Sequence, residues 1–320
     1  MPVFSRIGIL STMNDDSPAT AFDMQVNGYA GADFCSTDLT LDEMRHACAE
    51  LKADGNGQIL ATVITDHVDS LCGKLAKMVE FREQDELVRE MIAGFHIEGP
   101  FLNATVGYIG AHPPECVKPA NVEDMKKLLD ATAGLTKIVT IAPENDPGFA
   151  TTKFLAEQGI TVSAGHCDPG FDQLRGSIDA GLSMMTHLGN GCPVDLPRHD
   201  NIIQRALSLA DRLWICYIPD GAHVDFFALK NYLKISGVDR SLMTTDAISA
   251  AKLGPGTYQL SGAPVEIDEH GVARRPGSPN LAGSTVTMPK IRENLSRELG
   301  LSDLEIDQLI CHNPRKSIGL

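Results

Sequence analysis

Three side chains in this sequence have the chemistry to share one divalent cation: Glu98, in HIEGPF, His166, in SAGH, and His187, in THLGNG. Two imidazoles and a carboxylate suit Zn²⁺, and Fe, Co or Mn ions as well, with water in a remaining open position. A cation held this way lowers the pKa of water toward neutrality and polarises a carbonyl. Such a reaction also needs a proton carrier. Asp246, in TTDA, is a carboxylate able to take a proton from water and later give it to a leaving amine. His96, two residues before Glu98, shares its side of a strand and is expected to support or pack rather than ligate.

These residues can meet only if the elements carrying them converge. Eight short apolar runs rich in Ile, Val, Leu, Met and Thr recur along the chain: 22–27, 58–65, 91–98, 137–144, 160–166, 182–187, 213–220 and 241–246. Runs of this kind, with helix-length segments between them, predict parallel strands buried on both faces. Amphipathic stretches at 41–53, 79–90, 122–131, 171–180 and 226–236 predict helices. Eight β/α units fit a (β/α)8 barrel of the TIM type. The runs end in Gln25 and Asn27, Thr65 and Asp66, Glu98, Glu144, His166, His187, Asp220 with His223, and Asp246. In such a barrel those ends gather at one mouth, where active sites are built.

The 320 residues suit one large barrel, read here as a single domain over 1–320. The Gly- and Pro-rich stretch 253–280 predicts a hairpin-like insertion after the eighth strand, and 290–308 predicts a C-terminal helix. A formal charge of −15 argues against affinity for nucleic acid or anionic lipid. The eight cysteines make neither a metal knuckle nor a ladder of close disulfides, and no signal peptide or membrane span is legible, so a cytoplasmic protein is expected.

The segments DMQVNGYAGADF, GFHIEGPFLN, VTIAPE, VSAGHCD, MTHLGNG, DGAHV, TTDAISAA, LAGSTVTM and HNPRKSIGL, in this order, resemble the N-acetylglucosamine-6-phosphate deacetylases of the amidohydrolase superfamily. The resemblance implies that Glu98, His166 and His187 bind the metal, that Asp246 is the catalytic acid and base, and that His223 contacts substrate. It also places His112, in GAHPPE, near the substrate's acetyl carbonyl. Many amidohydrolases carry a His-x-His pair on the first strand for a second metal. QVN supplies amides there, so one ion is expected.

In the family, an Asn and the next backbone N–H bind the sugar phosphate, matched here by Asn190 and Gly191. An arginine further along, matched by Arg198, grips the phosphate and can come from a neighbouring subunit, which would require a homodimer. This chain reads LGNGCPVDLPRHDN, where the family more often has an aromatic before the Asn and Ala-Met after it, so the sugar and the need for a 6-phosphate stay open. Members usually also carry a small β-sandwich. Only 22 residues precede Asp23 and the chain stops at HNPRKSIGL, so a barrel lacking that domain is expected, with the N-terminal segment or the hairpin taking over some of its contacts. Three other readings compete: an amidohydrolase acting on a different amide, a noncatalytic sugar-binding barrel, and a Schiff-base aldolase. No predicted strand ends in a lysine, which counts against the last.

Overall fold

The computed structural model describes residues 20–277 and 280–320. Its central sheet has eight parallel strands in sequence order: β1 (Ala21–Val26), β2 (Asn56–Ile64), β3 (Ile92–Glu98), β4 (Thr136–Ile141), β5 (Thr161–Ala164), β6 (Leu182–Met185), β7 (Trp214–Tyr217) and β8 (Ser241–Met243). Their side chains are almost wholly buried, as expected for strands with helices outside and a filled interior.

The first and last strands meet through a short seam rather than a full ladder. Val26 bridges Ala247, and the Asn27 N–H donates to the Ala247 carbonyl at 2.7 Å. Below this, buried Asp23 accepts from the hydroxyls of Thr244 (2.5 Å) and Thr245 (2.6 Å) and from the Thr245 N–H (3.2 Å). A carboxylate on β1 therefore ties down the backbone that leads into Asp246.

The helices follow from periodicity and capping. α1 (Leu41–Ala53) starts at a capping box of Thr40 and Glu43 and buries Met44, Ala47, Cys48 and Leu51, one stripe at helical spacing. The helix expected over 79–90 is instead two, α2 (Val68–Gln84) and α3 (Glu86–Met91), because Asp85 is extended and caps the second through the Val88 N–H. Two short helices, Ala150–Glu157 and Ile202–Leu207, were not legible. The helix expected over 290–308 is also divided. Met288–Arg297 stops before Gly300, whose φ of 75° suits glycine, and a new capping box at Ser302 and Glu305 starts the next helix.

Within 253–280 the chain forms a three-stranded antiparallel sheet of β9 (Gly256–Leu260), β10 (Ala263–Ile267) and β11 (Ala273–Arg274). Leu260, Val265, Ile267 and Ala273 pack with Ile64, Ile248 and Ala282 in a separate apolar cluster over the barrel mouth. The only other sheet among the described residues is a two-stranded hairpin at 28–33. The N-terminal segment expected to replace sandwich contacts lies outside the described residues. Among the described residues, no helix is long and apolar enough to cross a membrane.

Candidate active site

Glu98 ends β3 with its carboxylate at the centre of the mouth. Its Oε1 lies 2.9 Å from His187 Nε2 and 3.4 Å from His166 Nε2, and one ligand atom from each of the three residues lies within 4.8 Å of the others. All three are buried. The His166 Nδ1–H donates to the Tyr108 carbonyl at 2.7 Å, which leaves Nε2 turned toward Glu98 as the nitrogen available to a cation. The donor set, its spacing and this tautomer fit a divalent cation. Burial opposes ionisation of Glu98, but hydrogen bonds and charge from His166 and His187 outweigh it and hold its carboxyl well below the usual range.

The backbone at these positions is unusual. His166, His187 and Asp246 have φ of 48°, 29° and 50°, the left-handed region that non-glycine residues rarely enter. Each lies two or three residues past the end of its strand, and the strained conformation turns its side chain into the mouth. Glycines complete the cradle: a Cβ on Gly191 would stand 2.8 Å from His166 Nδ1, and one on Gly110 would stand 2.9 Å from its Cε1.

The amides of β1 are braces. The Gln25 Nε2–H donates to Glu98 Oε2 at 3.1 Å, and the Asn27 Nδ2–H donates to Asp246 Oδ1 at 2.7 Å. Burial, and to a lesser degree the charge of Glu98, pushes the Asp246 carboxyl up to about 6 against the pull of His187 and His223. That value suits a group that must both accept and release a proton near neutrality.

His112 reaches the same place from the loop after β3. The N–H of Thr65 (3.3 Å) and its hydroxyl (2.9 Å) both face His112 Nδ1. An N–H can only donate, so Nδ1 accepts and the proton sits on Nε2, which points to Glu98 Oε2 at 3.7 Å. Burial, reinforced by His166, lowers the His112 pKa to about 3 and keeps the ring neutral. It is therefore shaped as an N–H donor rather than a base.

Asn27, Glu98, His112, His166, Asn190 and Asp246 line an inner chamber of about 30 Å³ that Leu260 and Leu281 roof. Beside it a cavity of about 460 Å³ is lined by Asn190, Gly191, His223 and Arg274, among others. Asn190 lines both spaces, and the larger one is of the size that small ligands occupy. Arg198 is exposed and does not line this cavity.

Other strand-end residues have structural duties. Asp66 is engaged at the start of α2 by Lys74 (2.6 Å), Ser70 and the His67 N–H. Glu144 Oε1 accepts from Asn103 Nδ2 (2.9 Å) and the Asp168 N–H (2.6 Å), bracing the loops on either side of His166. His96 bonds the Met24 carbonyl and Thr140 inside the barrel, and burial lowers its pKa to about 4. Thr65 and Tyr108 as holders of the site histidines, and Arg274 and Arg275 on the hairpin, were not found from sequence. The twin arginines in VARRPG were the available signal. Arg275 Nη2 donates to the Ala111 carbonyl, beside His112.

A buried carboxylate and two imidazoles at strand ends of a (β/α)8 barrel, faced by an aspartate from the eighth strand, define the amidohydrolase class. The chain is 31% identical over 301 residues to the N-acetylglucosamine-6-phosphate deacetylase of Bacillus subtilis, covering 93% of this chain and 74% of that protein. It is therefore a member of the N-acetylglucosamine-6-phosphate deacetylase family. An N-acetylgalactosamine-6-phosphate deacetylase of Escherichia coli O157:H7 is 27% identical over 93% of this chain and 77% of its own length. A solved structure of the N-acetyl-D-glucosamine-6-phosphate deacetylase from Mycobacterium smegmatis, an aspartate-to-alanine variant in complex with N-acetyl-D-glucosamine-6-phosphate, superposes with a TM-score of 0.85. It is 29% identical, with 94% of this chain and 77% of that one covered. No protein-family model matches the chain.

Proposed function

We propose that this protein removes the acetyl group from an N-acetylated amino sugar 6-phosphate, releasing acetate and the free amine, with N-acetylglucosamine 6-phosphate as the leading substrate. The observation that carries this reading is the meeting of Glu98, His166, His187, His112 and Asp246 around one buried mouth in a member of this family. Glu98, His166 and His187 would hold one divalent cation, Zn²⁺ first among candidates, which supplies polarisation of the amide carbonyl and acidification of water. Asp246, steadied by Asn27, accepts the proton of the attacking water and returns it to the departing nitrogen. His112 donates its Nε2–H to the oxygen on which negative charge develops. His223, Asn190 and the Gly191 backbone hold the sugar and its phosphate. Arg198, exposed and outside this cavity, would grip the phosphate from a neighbouring subunit of a homodimer. The single-domain barrel, with the hairpin as its insertion, is the catalytic unit, and a reducing cytoplasm suits its cysteines.

The test is an acetate-release assay on the 6-phosphates of N-acetylglucosamine and N-acetylgalactosamine and on both unphosphorylated sugars, with metal content measured on the same sample. Acetate and free amine from a 6-phosphate, with about one ion per chain, support the reading. Metal-replete protein that releases acetate from neither 6-phosphate refutes it. Arg198→Ala should raise KM for the phosphorylated sugar by about tenfold or more while leaving the unphosphorylated sugar unchanged, because only the former offers the arginine a charge to grip.

A further inference from the structure

Asp220 follows β7, and among the described residues its carboxylate hydrogen-bonds none of the three proposed metal ligands, yet it is fully committed. Oδ1 accepts from the backbone N–H groups of Ala222 and His223, each at 2.9 Å, and Oδ2 lies 2.6 Å from His223 Nδ1. Two main-chain donors thus fix the carboxylate, and the carboxylate fixes the ring. The His223 side chain is 2% exposed, and among the described residues its Nε2 is buried without a hydrogen-bond partner. The same ring lines the 460 Å³ cavity with Asn190, Gly191 and Arg274.

We propose that Asp220 is a positioning residue that presents His223 to the substrate as a charged donor, with Nδ1–H bound to Asp220 and Nε2–H directed into the cavity. An ionised carboxylate can only accept, so Nδ1 must carry a proton. The short contact then stabilises a second proton on Nε2. Burial works against a charged His223, but the charge and hydrogen bond of Asp220 outweigh it, and Asp246 from the end of β8 adds to them. The other charged groups lining this cavity are Asp225 and Arg274, one of each sign. The ligand class that fits is an oxyanion or a sugar hydroxyl accepting from Nε2–H. This inference rests on the reading above that the cavity takes a sugar phosphate.

Asp220→Asn keeps the shape and removes the charge. The expected result is a KM for N-acetylglucosamine 6-phosphate raised by roughly tenfold, one charge-assisted hydrogen bond lost, while kcat changes by less than about threefold. The pH above which KM climbs should fall in this variant, because a histidine held charged by its partner loses its proton earlier without it. Asp220→Glu should restore the wild-type pH profile in part, which a purely structural role would not do. In ¹⁵N spectra of the histidine rings, wild-type His223 should show both nitrogens protonated at neutral pH and the Asn variant a neutral ring. Unchanged His223 resonances together with an unchanged pH profile of KM would overturn the proposal. If Asp220→Asn fails to fold, the wild-type spectra decide, because a neutral His223 at pH 7 refutes the inference. If wild-type protein releases no acetate, the functional reading fails, while the spectra still judge the pairing of Asp220 with His223.

Discussion

Asp246 illustrates how much of this site is charge placed where water cannot reach it. Its carboxyl sits near 6 in the folded chain against an ordinary 3.8, so ionisation costs stability. That penalty is absent below about pH 4, grows as pH rises, and levels off above about 6 at roughly 3 kcal/mol. Asp246→Asn, compared with wild type in chelator, should therefore raise the melting temperature at pH 8 and lose that advantage toward pH 4, while abolishing acetate release. Thermal melts across pH check the first part. Gly191 makes the complementary point about shape. Gly191→Ala would press a methyl against His166 and should weaken metal affinity by about 10- to 100-fold, read by competition with a chelating dye. The proposed ligands, the proposed proton carrier and the unsuitability of Gln25 and Asn27 as ligands were all read from residue types at strand ends. Their partners were not: Gln25 meets Glu98 across 73 residues and Asn27 meets Asp246 across 219, separations that carry no local signal.

Among the elements, the strands were legible because burial on both faces demands a continuous apolar run. Short helices were not: Ile202–Leu207 spans under two turns and has no room to display a period. The C-terminal region kept its apolar periodicity across a break that Gly300 and the Ser302 cap impose. At this scale the seam between β1 and β8 invites a test. Asp23→Ala strips three donors of their acceptor and should cost about 1–3 kcal/mol in urea unfolding, with lower kcat because Thr244 and Thr245 lead directly into Asp246. The hairpin sheet invites another. Arg275→Ala frees the Ala111 carbonyl next to His112 and should lower kcat more than it raises KM, which steady-state kinetics would show.

For the whole molecule, a cation held by the proposed ligands at the ends of β3, β5 and β6 would tie together strands far apart in sequence. Chelation should lower the melting temperature, since a ligand present at 100 times its Kd adds about 2.7 kcal/mol. His187→Ala protein should melt at one temperature with or without chelator. The two spaces at the mouth have a further consequence for which amides are hydrolysed. The inner chamber is small, about 30 Å³, and Leu260 and Leu281 border it, so an acyl chain seated there is expected to be short. Each added methylene should thus be penalised by about 10- to 200-fold, so that N-propanoyl and N-butanoyl sugars are turned over poorly even when the sugar moiety is unchanged. Shortening Leu281 to alanine should relax that ranking, making acyl-chain length a property set by the roof of the barrel rather than by its metal.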